Sequence, residues 1–254
     1  MFTIIRLTLY RVKEPAYLFL ALIGFGLAWT LRHAGAAGLN VSPVLFGPER
    51  PARVFSSALL LALAVIYAVF TGAGEVPRDI RTRFASLLLS KPLRRWEYVA
   101  GRAGGVFLLC FGTYAAWLAA LALFSHTAGG GPEAVAWSAV RYADYLLPGL
   151  LLAPLAGATV ALTCYLDDIP VMFVLFIYVV LAWLASLIPV VTVVLPRPFQ
   201  ALLMAVYYLF PNPVFYFMEV TGWASRLLLV GYSFALGALW LLLAIPGFNK
   251  RDLS

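Results

Sequence analysis

Long apolar runs alternate with short polar ones along this chain, at residues 16–31, 54–71, 103–125, 146–166, 171–195 and 227–245. Most reach the roughly 20 residues a helix needs to cross hydrocarbon, and the first is short unless Arg32 snorkels. The pattern predicts an all-α fold: a polytopic integral membrane protein with six transmembrane helices. Asp167 and Asp168 sit just before Pro170 and the fifth run, which folds spans four and five into a tight hairpin. Ahead of the first span, residues 1–14 mix Phe2, Ile4, Ile5, Leu9 and Val12 with Arg6, Arg11 and Lys13. That mixture is too charged to span and predicts an N-terminal interfacial helix, with Pro15 at the turn into the bilayer. Residues 196–226 are too apolar for an ordinary loop, yet Pro211 and Pro213 interrupt them. They read as an outer re-entrant helical pair before span six. The alternative is a seventh crossing by residues 199–210, which would place the C-terminus outside. The re-entrant reading keeps Lys250 and Arg251 inside.

One long polar run breaks this pattern, residues 75–102, GEVPRDIRTRFASLLLSKPLRRWEYVAGR with its preceding glycine. It holds seven of the eighteen basic residues. Pro77 suits the first turn of a helix and Pro92 cannot continue one. Between them Ile80, Phe84, Leu87 and Leu88 fall on one helical face, with Asp79 and Arg83 as an acid-first pair on its flank. Such a stripe either docks on a protein partner or lies on membrane lipids, with Arg and Lys on the headgroups. Four apolar side chains at about 1.5 to 3 kcal/mol each give a gross gain of about 6 to 12 kcal/mol before association costs.

Composition fixes the class. At 63% hydrophobic and 11% charged, the 254 residues form a single transmembrane domain, 1–254, with no room for a soluble one. The net charge of +7 is gathered beside spans, so anionic lipid is the expected counterpart and no nucleic acid is. Cys110 and Cys164 lie inside apolar runs, where packing is their default role. With the N-terminus inside, twelve basic residues fall on the inner side and six on the outer. The excess predicts cytoplasmic N- and C-termini and a cytoplasmic 75–102 stretch.

The six runs as bounded contain no Asp, Glu, Lys, Arg or His. Ionisable groups in a membrane usually mark ion paths or catalysis, so a proton- or sodium-coupled transporter is not expected. His33 and His126 are isolated on outer loops, which leaves no metal site to assemble. There is no Gly-Lys pair anywhere, hence no P-loop for nucleotide phosphates. Energy for uphill movement must then come from another polypeptide, and the chain is not an enzyme by itself. The hydroxyls in the spans, such as Thr71, Thr113, Thr159, Thr163 and Ser233, are expected to bond to their own helix or a neighbour. Two other classes stay open: a membrane scaffold or assembly subunit, and a polytopic lipid-modifying enzyme using Glu133, Arg141 and Asp144 near the outer surface.

The 75–102 stretch resembles the permease subunits of type 2 ABC exporters. The matching residues are Glu75, Arg81 to Ser90, the Lys91-Pro92-Leu93 turn, Arg94, Arg95, Tyr98 and the Gly101-Arg102 pair. The interfacial helix, six spans and re-entrant pair match that family's layout. The resemblance implies an ABC transporter permease in the cytoplasmic (inner) membrane, dimeric with a second permease copy or homologue. A separate cytoplasmic ABC ATPase subunit would carry ATP and Mg, with no cofactor on this chain. It further implies that Ile80, Arg81, Arg83, Phe84, Leu87, Leu88, Lys91 and Pro92 form a coupling helix between spans two and three, flanked by Glu75, Asp79, Arg94, Arg95 and Arg102. In that arrangement Tyr208, Phe210, Pro211, Pro213 and Phe215 lie over the outer mouth, as a gate or equally as an interface anchor.

Overall fold

Lipid offers the backbone no hydrogen-bond partner, so a chain of this composition must satisfy its amides within helices. The computed structural model describes residues 2–10, 22–26, 51–82, 94–127, 144–185, 188, 192, 196–213, 216 and 223–250, and among them there are helices and turns and no strand. The helices are α1 (Phe2–Tyr10), α2 (Pro51–Ala73), α3 (Glu75–Arg81), α4 (Arg95–Thr127), α5 (Leu152–Thr163), α6 (Asp168–Ala185), α7 (Arg197–Leu209) and α8 (Trp223–Lys250). A 3-10 turn, Leu147–Leu151, leads into α5. Five stretches are long and apolar enough to cross a membrane: Ser57–Arg81, Arg95–Leu123, Asp144–Thr163, Asp168–Ala185 and Trp223–Phe248. The chain is therefore a multi-pass helical membrane protein.

The expected first span lies mostly outside the described residues. Of it, residues 22–26 are helical, and Gly24 sits so close to Trp117 that a Cβ there would fall 2.0 Å from the indole. The second and third spans depart from expectation. They do not stop at residue 71 and resume at 103; helix continues to Arg81 and restarts at Arg95, so both ends of the polar stretch belong to the bundle. Pro77 does fall within the first turn of α3.

α5 is the centre of the bundle, packed against α2, α4 and α8. Its sequence, LAPLAGATVALT, is nearly all small or aliphatic, and eleven of its twelve residues are buried. Small residues let helix backbones approach, which is what holds helices together where lipid is as apolar as leucine. A Cβ on Gly157 would lie 2.7 Å from the Gly237 carbonyl oxygen of α8. Around this contact Tyr67, Tyr114, Trp117, Leu118 and Leu152 are fully or almost fully buried. Thr71, Thr113, Thr159, Thr163 and Ser233 donate to carbonyls three or four residues back, so each hydroxyl is satisfied within its own helix. Pro246 interrupts the backbone ladder near the end of α8, and in that turn Tyr165 donates its hydroxyl to the Leu243 carbonyl at 2.6 Å.

Contacts fix which ends lie together. The α5–α6 turn at residues 164–167 is the expected hairpin, and there Asp168 is ion-paired with Arg81. The rings of Tyr98 and Phe248 stack at the same end. At the opposite end Arg226 meets Asp144 at 2.6 Å. α7, of 13 residues, is about 20 Å long at 1.5 Å per residue, short of a hydrocarbon core about 30 Å thick.

Candidate functional site

Glu75 and Asp79 are four residues apart, so they share one face of α3; Tyr98 and Arg102 share one face of α4 by the same spacing. The two faces meet. Arg102 Nη1 donates to Glu75 Oε2 at 2.9 Å, and its Nη2 is ion-paired with Asp79 Oδ2. Tyr98 donates its hydroxyl to the same Asp79 oxygen at 2.6 Å. A third element closes the site: Arg102 Nη1 also lies 2.9 Å from the Thr8 hydroxyl of α1. α1 reaches this depth because α4 has no side chain at Gly105, where a Cβ would fall 2.6 Å from Thr8. Phe248 seals the site from α8, its ring 5.2 Å from that of Tyr98.

Arg102, Asp79 and Glu75 are at most 1% exposed. Charges taken this far from water persist only when paired and hydrogen-bonded, and each here has a partner of opposite sign. Sequence reading did not foresee this burial: the three residues expected to flank the coupling helix sit inside the bundle, on helices that run past the limits of the charge-free apolar runs. The physical reason is cancellation across helices, which a residue-by-residue hydropathy sum cannot register. Asp79 turns to Arg102 and Tyr98 across the bundle; Arg83, its expected in-helix partner, lies outside the described residues.

The rest of the expected coupling surface divides. Ile80 is half-buried and packs against the core, so it is not part of a free stripe. Arg81 is 65% exposed at its side chain and reaches Asp168. Arg94 and Arg95 are exposed. Arg83, Phe84, Leu87, Leu88, Lys91 and Pro92 lie outside the described residues. Among the outer residues, Tyr208 is exposed, Phe210 half-buried, and Pro211 and Pro213 buried; Phe215 lies outside the described residues. The Tyr232 hydroxyl is 2.9 Å from the Tyr208 carbonyl and 2.8 Å from that of Phe210, pinning the end of α7 to α8. Nearby, Tyr216 shares a 2.9 Å hydrogen bond with Ser233; burial pushes its phenol up to about 12, against the pull of that bond. The outer trio splits likewise: Asp144 is held by Arg226, while Glu133 and Arg141 lie outside the described residues.

Between α2 and α6 runs an apolar groove of about 580 Å³, walled by Ala62, Ile66 and Phe70 on one side and Met172, Phe173 and Phe176 on the other. No group of three or more His, Cys, Asp or Glu able to hold a metal occurs among the described residues. Sequence reading missed the Thr8 and Tyr98 contributions to the ionic site. The available signal was two polar pairs at i, i+4 spacing, each at the end of an apolar run. No protein-family model matches this chain, and no curated protein matches it either.

Proposed function

We propose that this chain is the transmembrane permease subunit of an ATP-binding-cassette transporter, exporting its substrate across the cytoplasmic membrane on ATP hydrolysed by a separate subunit. One observation carries the reading: the stretch 83–93, with Arg83 and Lys91, connects α3 to α4, whose facing ends are locked by Arg102 to Glu75 and Asp79. A partner that pulls on this stretch moves two spans and α1 as one body. The exposed Arg94 and Arg95 at its exit supply a cationic margin for such a partner. With Ile80 committed to the core, Phe84, Leu87 and Leu88 remain for docking, a gross gain of about 5 to 9 kcal/mol. That exceeds the lower estimates of what association costs.

The re-entrant reading of residues 196–226 draws support from the two ion pairs. Arg81–Asp168 and Asp144–Arg226 lie at opposite ends, so residues 186–222 leave and return at one end, as a re-entrant pair does. ATP and Mg belong to the partner, because the chain has no Gly-Lys pair. A second permease copy would complete the path. The docking test is Phe84→Ser with Leu88→Ser: the ATPase is expected to stop co-purifying while membrane insertion stays normal, and unchanged co-purification contradicts the reading.

A second reading, ion-coupled transport, is favoured by the two buried carboxylates that share one guanidinium inside the spans. Asp79→Asn separates the two, since transport that becomes independent of an ion gradient while ATP turnover is untouched belongs to the second alone.

A further inference from the structure

We infer that the buried site of Glu75, Asp79 and Arg102 takes up one monovalent cation, a hydrogen ion or an alkali ion, beside its guanidinium. The inference goes beyond both functional readings, since the charge has to be balanced whether or not the cation crosses the membrane. Two carboxylates face one guanidinium here, and all three groups are at most 1% exposed. Each carboxylate has its ion pair, yet the sum is one negative charge in excess. Away from water such an excess is tolerated only with a further positive charge or with one carboxylate neutralised.

The surrounding helices bring no such charge to this depth. Arg102 is the one buried cation among the described residues. On α1 the site is met by the Thr8 hydroxyl, and Arg6 is exposed. α4 contributes the phenol of Tyr98 and, two turns beyond Arg102, the buried thiol of Cys110; its Glu97 accepts from the Arg94 amide at the helix start. One turn before Glu75 comes Thr71, whose hydroxyl is spent on the Tyr67 carbonyl. α5 packs against α3 and carries no charged residue. α8 brings the ring of Phe248, and its Lys250 is exposed. On α3 itself Arg78 is exposed and Arg81 is engaged by Asp168. The other positive charges at this end of the bundle are therefore solvated, while the excess negative charge is not.

The size of the excess selects the ion. A divalent cation would reverse the sign of the site, and no group of three His, Cys, Asp or Glu among the described residues is there to hold one. Asp79 Oδ2 already receives both Arg102 and Tyr98. Glu75 meets Arg102 through Oε2, and two atoms of the site are buried without a hydrogen bond, Glu75 Oε1 and Arg102 Nε. An acceptor and a donor left over in one buried place fit a cation on the carboxylate oxygen with a water on the Nε–H.

The test is thermal unfolding of the full purified chain in detergent at constant ionic strength, with sodium, potassium or N-methylglucamine as the cation. A ligand that binds the folded state alone raises the unfolding temperature by mass action. The parent is expected to unfold about 2 to 4 °C higher in the favoured ion. Glu75→Gln, which keeps an acceptor for Arg102 but removes the excess charge, is expected to lose that dependence and to match the parent at its most stable. A response to sodium or potassium over N-methylglucamine, abolished by Glu75→Gln, supports the proposal with an alkali ion as the ligand. Indifference to these ions, with stability present near about pH 6 and falling toward about pH 8 in the parent but not in Glu75→Gln, supports it with a hydrogen ion. Asp79→Asn removes the same excess charge and takes the place of Glu75→Gln if that variant does not fold. A parent indifferent to alkali ions and to pH overturns the proposal, as does a response that survives neutralisation of either carboxylate. Neither an ATPase nor an ion gradient enters, so these temperatures stand apart from the docking and transport results.

Discussion

α5 and α6 are neighbours in sequence, joined by the turn at residues 164–167, yet they are held in opposite ways. The span that ends in α5 is 83% buried and α6 is 22% buried, although α6 is built of larger and more apolar side chains. In water the greasier helix would take the centre. In lipid, apolar area gains little by leaving one hydrocarbon environment for another, and close backbone approach decides instead. Gly157, Ala153 and Ala158 allow that approach; Phe173, Phe176 and Trp183 prevent it. Between these two helices, small side chains go with the buried position and large ones with the exposed one.

The packed body should fail most completely without its ionic lock. Arg102→Ala leaves two carboxylates buried without their guanidinium and is expected to cost about 3 to 5 kcal/mol, read as a lowered unfolding temperature in detergent. Making α5 resemble α6 comes next. Gly157→Leu drives a side chain into the Gly237 backbone, and a loss of about 3 kcal/mol is expected. The same change at Gly231, where nothing lies within 4 Å of an added Cβ, should stay within about 0.5 kcal/mol. Tyr98→Phe removes a hydrogen bond to a buried carboxylate and should cost about 2 kcal/mol in the same assay. Smallest of all, Phe176→Ala on the exposed face of α6 should shift stability by less than about 0.5 kcal/mol. A large loss there would contradict the division between body and surface.

Apolar runs and proline positions were enough to locate the five described apolar stretches, the hairpin at Asp167 and a helix in residues 2–10, although two of the five run on into the polar stretch, to Arg81 and from Arg95. Those features are local: each is carried by neighbours in sequence. The ionic site was not legible in the same way. Glu75 and Arg102 are 27 residues apart, and each alone scores as a polar residue that should leave the membrane. Only their mutual cancellation, with Thr8 arriving from α1, makes burial tolerable. Gly157 and Gly237 illustrate the same limit, because a chain with twenty glycines gives no sign of which two will touch. Ile80 matched the helical stripe yet faces the core, since periodicity defines a face and not what covers it.

ATP turnover in vesicles tests the central claim most directly. If the proposed function holds, vesicles carrying this chain together with the proposed partner ATPase are expected to show vanadate-sensitive hydrolysis that depends on the chain and falls to the level of the ATPase alone with Phe84→Ser and Leu88→Ser. Turnover by the purified chain alone, or turnover unchanged by the double substitution, would contradict it.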